Sequence, residues 1–319
     1  MKVSILIPTY NRADLLKKCL QSCTDQTLPP YEILIGDDSS QPLDSDFFSE
    51  FDSGNPIKIR YLPNNPALGQ GLNVDRLIRE ASGTHICLIH DDDLLQKNAL
   101  EDLSKPFENN RLDASYGKQY IIDEKGVIDK KSSSTLNEDY YRSDIYEGLQ
   151  NDPVISTVVS QFPNNGYLID AELAKTTGYA KALSLFQDAC DYGFGVLLAE
   201  NKPDLRLYFV NEYTACYRLS KNSVARNNKA NNAAFNSFTY VLDLDQKIHS
   251  DPRVKKWLKT TAPAAIGNAI NLHKGLTALK WCFSKYHLSY IRTPGGLKRF
   301  CLSLSVILGN IFLRNTGKS

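Results

Sequence analysis

Three short segments carry side chains from which chemistry could be built: Pro8-Thr9-Tyr10-Asn11-Arg12, Asp37-Asp38-Ser39-Ser40 and His90-Asp91-Asp92-Asp93. Each follows a short β-rich run, and ligands of open α/β sheets bind outside the carboxyl ends of the strands. Together they deliver one aromatic ring and five carboxylates to one crevice. Asp and Ser also cap helices and make turns, so a single acidic cluster would be a weak signal. Two are harder to dismiss, because packed like charges cost free energy unless a cation or ligand offsets them. Mg²⁺ and Mn²⁺ typically take one or two carboxylates together with substrate phosphates. A metal held this way neutralises a diphosphate leaving group. Neither GxGxxG nor GxxxxGK[ST] occurs, and Gly69-Gln70-Gly71 lacks the third glycine. A Rossmann dehydrogenase and a P-loop NTPase are therefore disfavoured.

The elements that must position these groups follow from periodicity. Strands are predicted at Val3–Ile7, Glu32–Gly36, Ile57–Leu62 and His85–His90, and helical spacing at Leu15–Cys23, near Phe47–Phe51, Leu72–Ala81 and Ala99–Phe107. Alternation at this spacing argues for a mostly parallel sheet flanked by helices. Runs as continuously apolar as Val-Ser-Ile-Leu-Ile suit strands covered on both faces. Residues 124–152 are polar and are read as a long surface loop or lid. Ala189–Ala199 has helical spacing, and from about Asn228 the pattern is helical throughout, ending in an apolar helix at Leu297–Leu313. The expected domains are 1–226, with a nucleotide-binding half to about 125 and an acceptor half after it, and a helical, basic region at 227–319.

Composition sets the outer limits. The 319 residues are 42% apolar and 23% charged, an ordinary globular profile. The net charge of +1 predicts no nucleic-acid partner, but it conceals an asymmetry. Residues 252–319 hold 12 Lys and Arg and no Asp or Glu, which points to attraction toward an anionic surface or to a solvated helical cap. Seven cysteines without a CxxC pair read as reduced, mostly buried thiols. The opening apolar run is too short for a signal peptide. The late run Phe300–Leu313 is too short for a membrane span of about 20 residues. A cytoplasmic protein is expected, with peripheral contact to the inner face of the membrane through 252–319.

Val3-Ser-Ile-Leu-Ile-Pro-Thr-Tyr-Asn-Arg12, Gln26-Thr27, Tyr31-Glu-Ile-Leu-Ile-Gly-Asp-Asp-Ser-Ser40, Gly69-x-x-x-Asn73, Ala81-Ser-Gly83 and the aspartate cluster occur in the order and spacing of a known family. The chain resembles an inverting family-2 glycosyltransferase with the GT-A fold, from Val3 to about Ser223. The resemblance implies a nucleoside diphosphate sugar donor, UDP-linked, and Mn²⁺ or Mg²⁺ as cofactor. Pro8, Thr9 and Tyr10 would cradle the base, Asp38 would accept the N3 hydrogen of uracil, and Asp37 would support that loop. Asn73 belongs to the nucleotide-binding motifs, Asp91 would bond the ribose or brace its loop, and Asp92 would bind the metal. His90 stands where the family has the first aspartate of D-x-D.

In the stretch Cys190-Asp191-Tyr192-Gly-Phe194, Asp191 takes the place of the catalytic base, with Asp188 as fallback; Cys190 stands in place of the usual Glu. One carboxylate taking the acceptor hydroxyl's proton is what inversion by direct displacement needs. Arg218 becomes a phosphate contact, and the histidine of the family's later motif falls on Ser220. Asn164-Asn165-Gly166 falls on the acceptor side. The acceptor implied is a glycan or lipid-linked glycan hydroxyl, as in polysaccharide or O-antigen biosynthesis. The departures at Cys190 and Ser220 motivate one rival, a degenerate member that binds nucleotide or glycan without turnover. A nucleotidyltransferase is disfavoured, because Pro8-Thr9-Tyr10-Asn11 replaces its glycine-rich loop.

Overall fold

The computed structural model describes residues 1–52, 57–219 and 232–315. The chain divides into two compact units, Met1–Leu183 with Cys190–Ser223, and Ser184–Ala189 with Val224–Ser319.

The first unit is built on one sheet. Its strands are β1 (Val3–Thr9), β2 (Glu32–Asp37), β3 (Lys58–Pro63), β4 (His85–Leu88), β5 (Leu94–Leu95), β6 (Ala114–Ile122), β7 (Ile128–Asp129), β8 (Gly148–Leu149), β9 (Tyr167–Asp170) and β10 (Leu207–Arg218). The order is β3-β2-β1-β4-β9-β6-β10-β5, with β7 beside β6 and β8 beside β10. β1 pairs in parallel with both β2 and β4, so their carboxyl ends open side by side. Antiparallel β9 closes the middle, and β6 and β10 run parallel to each other. Every residue of β1 and β2 is buried, as a sheet covered on both faces requires.

Helices α1 (Ala13–Thr24), α2 (Ser45–Asp52), α3 (Gln70–Glu80) and α4 (Ala99–Asn109) supply the cover. Leu16 and Leu20 of α1 and Leu100 and Leu103 of α4 join Ile5, Ile7, Ile33 and Ile35 in one apolar cluster. Two glycines are required by close approach. A Cβ on Gly36 would lie 2.1 Å from Asn73 Oδ1, and one on Gly83 would lie 2.7 Å from the Lys2 carbonyl.

The segment 124–152 is not the long loop expected from its polarity. It contains α5 (Lys130–Asp139), β7 and β8. Asp129 caps the helix by accepting the Ser132 N–H at 3.0 Å. The buried side of α5 is polar because it completes a strand. Ser133 Oγ accepts the Ile121 N–H at 2.8 Å, and Asn137 pairs with both backbone groups of Gln119. An element that buries Ser and Asn to satisfy a sheet edge has no apolar stripe to read.

Short helices α6 (Pro153–Val158), α7 (Ala171–Thr177), α8 (Tyr179–Phe186) and α9 (Cys190–Asn201) lead to β10. The second unit holds α10 (Ala233–Asp243), α11 (Pro252–Asn271), α12 (Gly275–Cys282) and α13 (Pro294–Asn315). Phe238 packs edge-on to Trp281 at 5.0 Å, over buried Val254, Leu258, Ala262 and Ile266 of α11. The helical pattern expected throughout this region is interrupted: α12 ends at Cys282, and a separate turn follows at Leu288–Tyr290. Among the described residues, no helix is long and apolar enough to cross a membrane.

Candidate active site

Parallel pairing sets Thr9 directly beside Asp37, and the Asp38 N–H donates to the Thr9 carbonyl at 3.0 Å. The Asp37 carboxylate is fully employed in holding its own turn, accepting the Ser39 N–H at 2.7 Å and the Tyr61 hydroxyl at 2.6 Å. Asp38 accepts Asn64 Nδ2 at 2.7 Å and the Leu68 N–H at 3.0 Å, both on Oδ1. Asn73 is buried with both ends of its amide engaged, donating to the Gly36 carbonyl and accepting from Asn64. It braces the loop from inside. Pro8 is buried within β1, whereas Tyr10 is 60% exposed at the strand's end.

The acidic cluster after β4 is knitted to β1 and β10. Thr9 Oγ1 donates to Asp91 at 2.7 Å, and Arg12 Nη1 bridges Asp91 at 3.2 Å and Asp92 at 2.9 Å. Arg12 precedes α1. Burial opposes its charge, but the two carboxylates overcome this and raise its pKa. Burial is also the main influence on Asp91, raising its pKa against the pull of Thr9 and Arg12. Asp93 lies deeper, accepting the Arg218 N–H at 2.8 Å and Asn165 Nδ2 at 2.6 Å. Burial and the neighbouring Asp92 push it up to about 7. Arg218 itself is buried, with Nε on the Asp92 carbonyl at 2.7 Å and Nη1 on the Asp123 carbonyl at 2.7 Å. Its guanidinium clamps two loops by their backbones.

His90, Asp92 and Asp93 bring their ligating atoms within 4.8 Å of one another. His90 Nδ1 meets Asn165 Nδ2 at 3.0 Å. Its Nε2 is buried with no hydrogen-bond partner among the described residues. Burial disfavours the imidazolium, yet Asp191, Asp93, Asp92 and Asp91 outweigh it and raise the pKa. Two carboxylates and an imidazole whose Nε2 is left without a partner form a donor set that fits a divalent ion.

Asp191 lies in the first turn of α9 and is the carboxylate acting most strongly on His90. The Tyr179 hydroxyl donates to its Oδ1, and Gln70 Nε2 donates to Oδ2 at 3.3 Å. Burial, followed by the Asp191 charge, holds the Tyr179 phenol protonated to well above its usual range. Gly69, in the left-handed region at φ +81°, turns the chain into α3 and sets Gln70 at its start.

The first unit therefore brings together Thr9, Asp91, Asp92, Asp93, His90 and Asp191. Asn73 and Arg218 sit behind the crevice as braces. Asp188 belongs to the second unit, where it accepts the Asn232 N–H at 2.8 Å just ahead of α10. Ser220 and Ser223 lie outside the described residues. Arg12, Asp93, Asn165, Gln70 and Tyr179 were not singled out as site residues in the sequence. Arg12, Asp93, Gln70 and Asn165 stood inside quoted segments without a role of their own; nothing local marks Tyr179, because tertiary contact alone gives it a partner here.

A largely parallel sheet flanked by helices, with carboxylates at the ends of β2 and β4 beside the end of β1, defines a glycosyltransferase of the GT-A fold. Structural similarity agrees. Over 97% of this chain and 92% of the other, it matches Staphylococcus aureus TarS in complex with UDP-GlcNAc, with TM-score 0.60 and 13% identity. It also matches the mannosyltransferase PcManGT from Pyrobaculum calidifontis in complex with GDP-Man and Mn²⁺, with TM-score 0.56 and 12% identity over 97% of this chain and 87% of that one.

Residues 4–163 match the family model for glycosyl transferase family 2, and the chain belongs to that family. A poly(ribitol-phosphate) beta-glucosyltransferase of Bacillus spizizenii is 33% identical over 131 residues, 40% of this chain and 20% of the relative. The uncharacterized glycosyltransferase YwdF of Bacillus subtilis is 36% identical over 111 residues, 34% of this chain and 39% of the relative. The alignments thus span between a fifth and two fifths of those curated relatives.

Proposed function

We propose that this glycosyltransferase moves a sugar from a UDP-sugar to a hydroxyl of a glycan or lipid-linked glycan, with inversion and dependence on a divalent metal. The observation that carries the reading is the Asp191 carboxylate, held by Tyr179 and Gln70 on the margin of the His90–Asp92–Asp93 group. Asp38 receives the base, with Tyr10 as the exposed ring beside it. Asp92 would hold Mn²⁺ or Mg²⁺, with Asp93 and His90 completing the donor set, and the ion would supply positive charge to offset that developing on the diphosphate. Asp191 accepts the proton of the acceptor hydroxyl as that oxygen attacks the anomeric carbon from the face opposite the diphosphate. Tyr179 and Gln70 bond one oxygen each, which fixes the plane of the carboxylate and leaves each oxygen a further lone pair to accept that proton. The nucleotides in the TarS and PcManGT complexes support a nucleoside diphosphate donor, and an acceptor carboxylate at Asp38 suits a base with a ring N–H, such as uracil. The product would serve assembly of a cell-surface polysaccharide by a protein working on the cytoplasmic side.

Melting curves with UDP, dTDP, GDP and CMP, each with and without Mn²⁺, test this on the wild type and Asp92→Ala. A ligand at 100 times its Kd adds about 2.7 kcal/mol. The expected result is a Mn²⁺-dependent rise with UDP that Asp92→Ala abolishes. No rise with any nucleotide would overturn the donor site.

A further inference from the structure

The second unit carries an apolar face that its own core does not use. On α13, Gly296 and Ser303 are buried on one side, while Leu297, Leu304 and Leu308 form an exposed stripe on another, with Leu308 67% exposed. These positions recur at intervals of seven and four residues, so they share one side of the helix. The stripe continues onto α12. A Cβ on Gly275 would lie 2.8 Å from Ile307, so the start of α12 abuts α13. At its other end, Phe283 meets Phe300 edge-on at 5.8 Å. Leu276, 73% exposed, and Phe283 stand seven residues apart on the outer side of α12. Scattered exposed leucines need no explanation, but a two-helix apolar strip does.

Charge identifies what would cover it. Lys274, Lys280, Lys285 and Lys298 belong to a stretch, 252–319, without a single carboxylate. Lys280 and Lys298 are exposed among the apolar residues. A strip of leucine and phenylalanine edged by uncompensated lysines suits a surface that is apolar inside and anionic at its boundary. No described helix can span a bilayer, so such a helix pair would lie in the interface plane. We infer that the exposed face of α12 and α13 docks the protein on a bilayer containing anionic phospholipid, through insertion of Leu276, Phe283, Leu304 and Leu308 and headgroup contact by Lys280 and Lys298. The inference stands on this face alone and does not depend on the transfer reaction.

Co-sedimentation of the full chain with phosphatidylcholine vesicles, with and without phosphatidylglycerol, tests it. Binding is expected only to the vesicles with phosphatidylglycerol. Raising salt from about 0.1 to about 1 M shortens the screening length from about 10 to about 3 Å and should release much of the protein. Lys280→Gln and Lys298→Gln should each weaken partitioning about fivefold at the lower salt. Leu276→Ser with Leu308→Ser should weaken it at both salts, with melting temperature nearly unchanged because the two side chains are 73% and 67% exposed. Equal binding to neutral and anionic vesicles, or none to either, would overturn the inference. So would sedimentation equilibrium showing a dimer that the leucine substitutions dissociate, since the face would then be occupied by a second copy.

Discussion

Arg12 offers a sharp test of how charge is balanced at the acidic crevice. Its guanidinium bridges Asp91 and Asp92. Arg12→Gln removes the only cation bonded to that pair among the described residues and leaves the carboxylates to repel each other. Hydrogen bonds to charged groups contribute about 1.5–3 kcal/mol each when buried. Arg12 is 32% exposed and Asp92 24%, so about 1 kcal/mol per contact is the appropriate scale, or about 2 kcal/mol in all. For a unit of this size that is a fall in Tm of about 4–8 °C. The informative quantity is how Mn²⁺ changes the gap. An ion seated on His90, Asp92 and Asp93 takes over the compensation and no longer sits next to a guanidinium. Arg12→Gln should therefore bind Mn²⁺ more tightly than wild type, and the difference in Tm should shrink by at least half at saturating Mn²⁺. Calorimetric melts of both proteins across a Mn²⁺ titration read this directly. A gap that stays constant or widens with Mn²⁺ would refute the placement of the ion beside Asp92.

Tyr179→Phe removes one of the two donors that orient Asp191; kcat should fall about tenfold in a donor-turnover assay, while the Tm shift given by UDP and Mn²⁺ is kept. Glu32 is buried, and although burial raises its pKa, the Ser82 N–H, Ser4 and Arg60 hold it below the usual carboxylate range. A depressed pKa gives stability that is present above about pH 4.3 and lost as pH falls through the folded value, so Glu32→Gln should be less stable at neutral pH and lose less on acidification in urea melts. Gly36→Ala drives a methyl into Asn73, and overpacking of this kind costs about 1–3 kcal/mol, read as a shift in urea midpoint.

β1, β2 and β4 were legible because they are buried and so read as unbroken apolar runs, and because α1, α3 and α4 have strong apolar stripes against the sheet, whereas β6, β9 and β10 were not assigned from the sequence. The strand-end carboxylates were legible for the related reason that parallel topology gathers the ends of β1, β2 and β4 whatever their sequence separation. The helix α5 was not, since Ser133 and Asn137 bury polar groups to finish a strand edge. The supports of Asp191 were hidden as well: Gln70 and Tyr179 lie 121 and 12 residues from it, and no local pattern links them. Arg218 and Asn73 stand at motif positions but turn inward, where backbone carbonyls outcompete solvent for their donors.

The central claim is that Asp191 is the base of a sugar transfer, and Asp191→Asn tests it most directly. Asn keeps the shape of the side chain and an acceptor for Tyr179, so folding and nucleotide binding should survive. With the UDP-sugar that the wild type turns over, release of UDP should fall about 10²–10⁴-fold while the Mn²⁺-dependent stabilisation by UDP is retained. Release at the wild-type rate would contradict the account and place the base elsewhere.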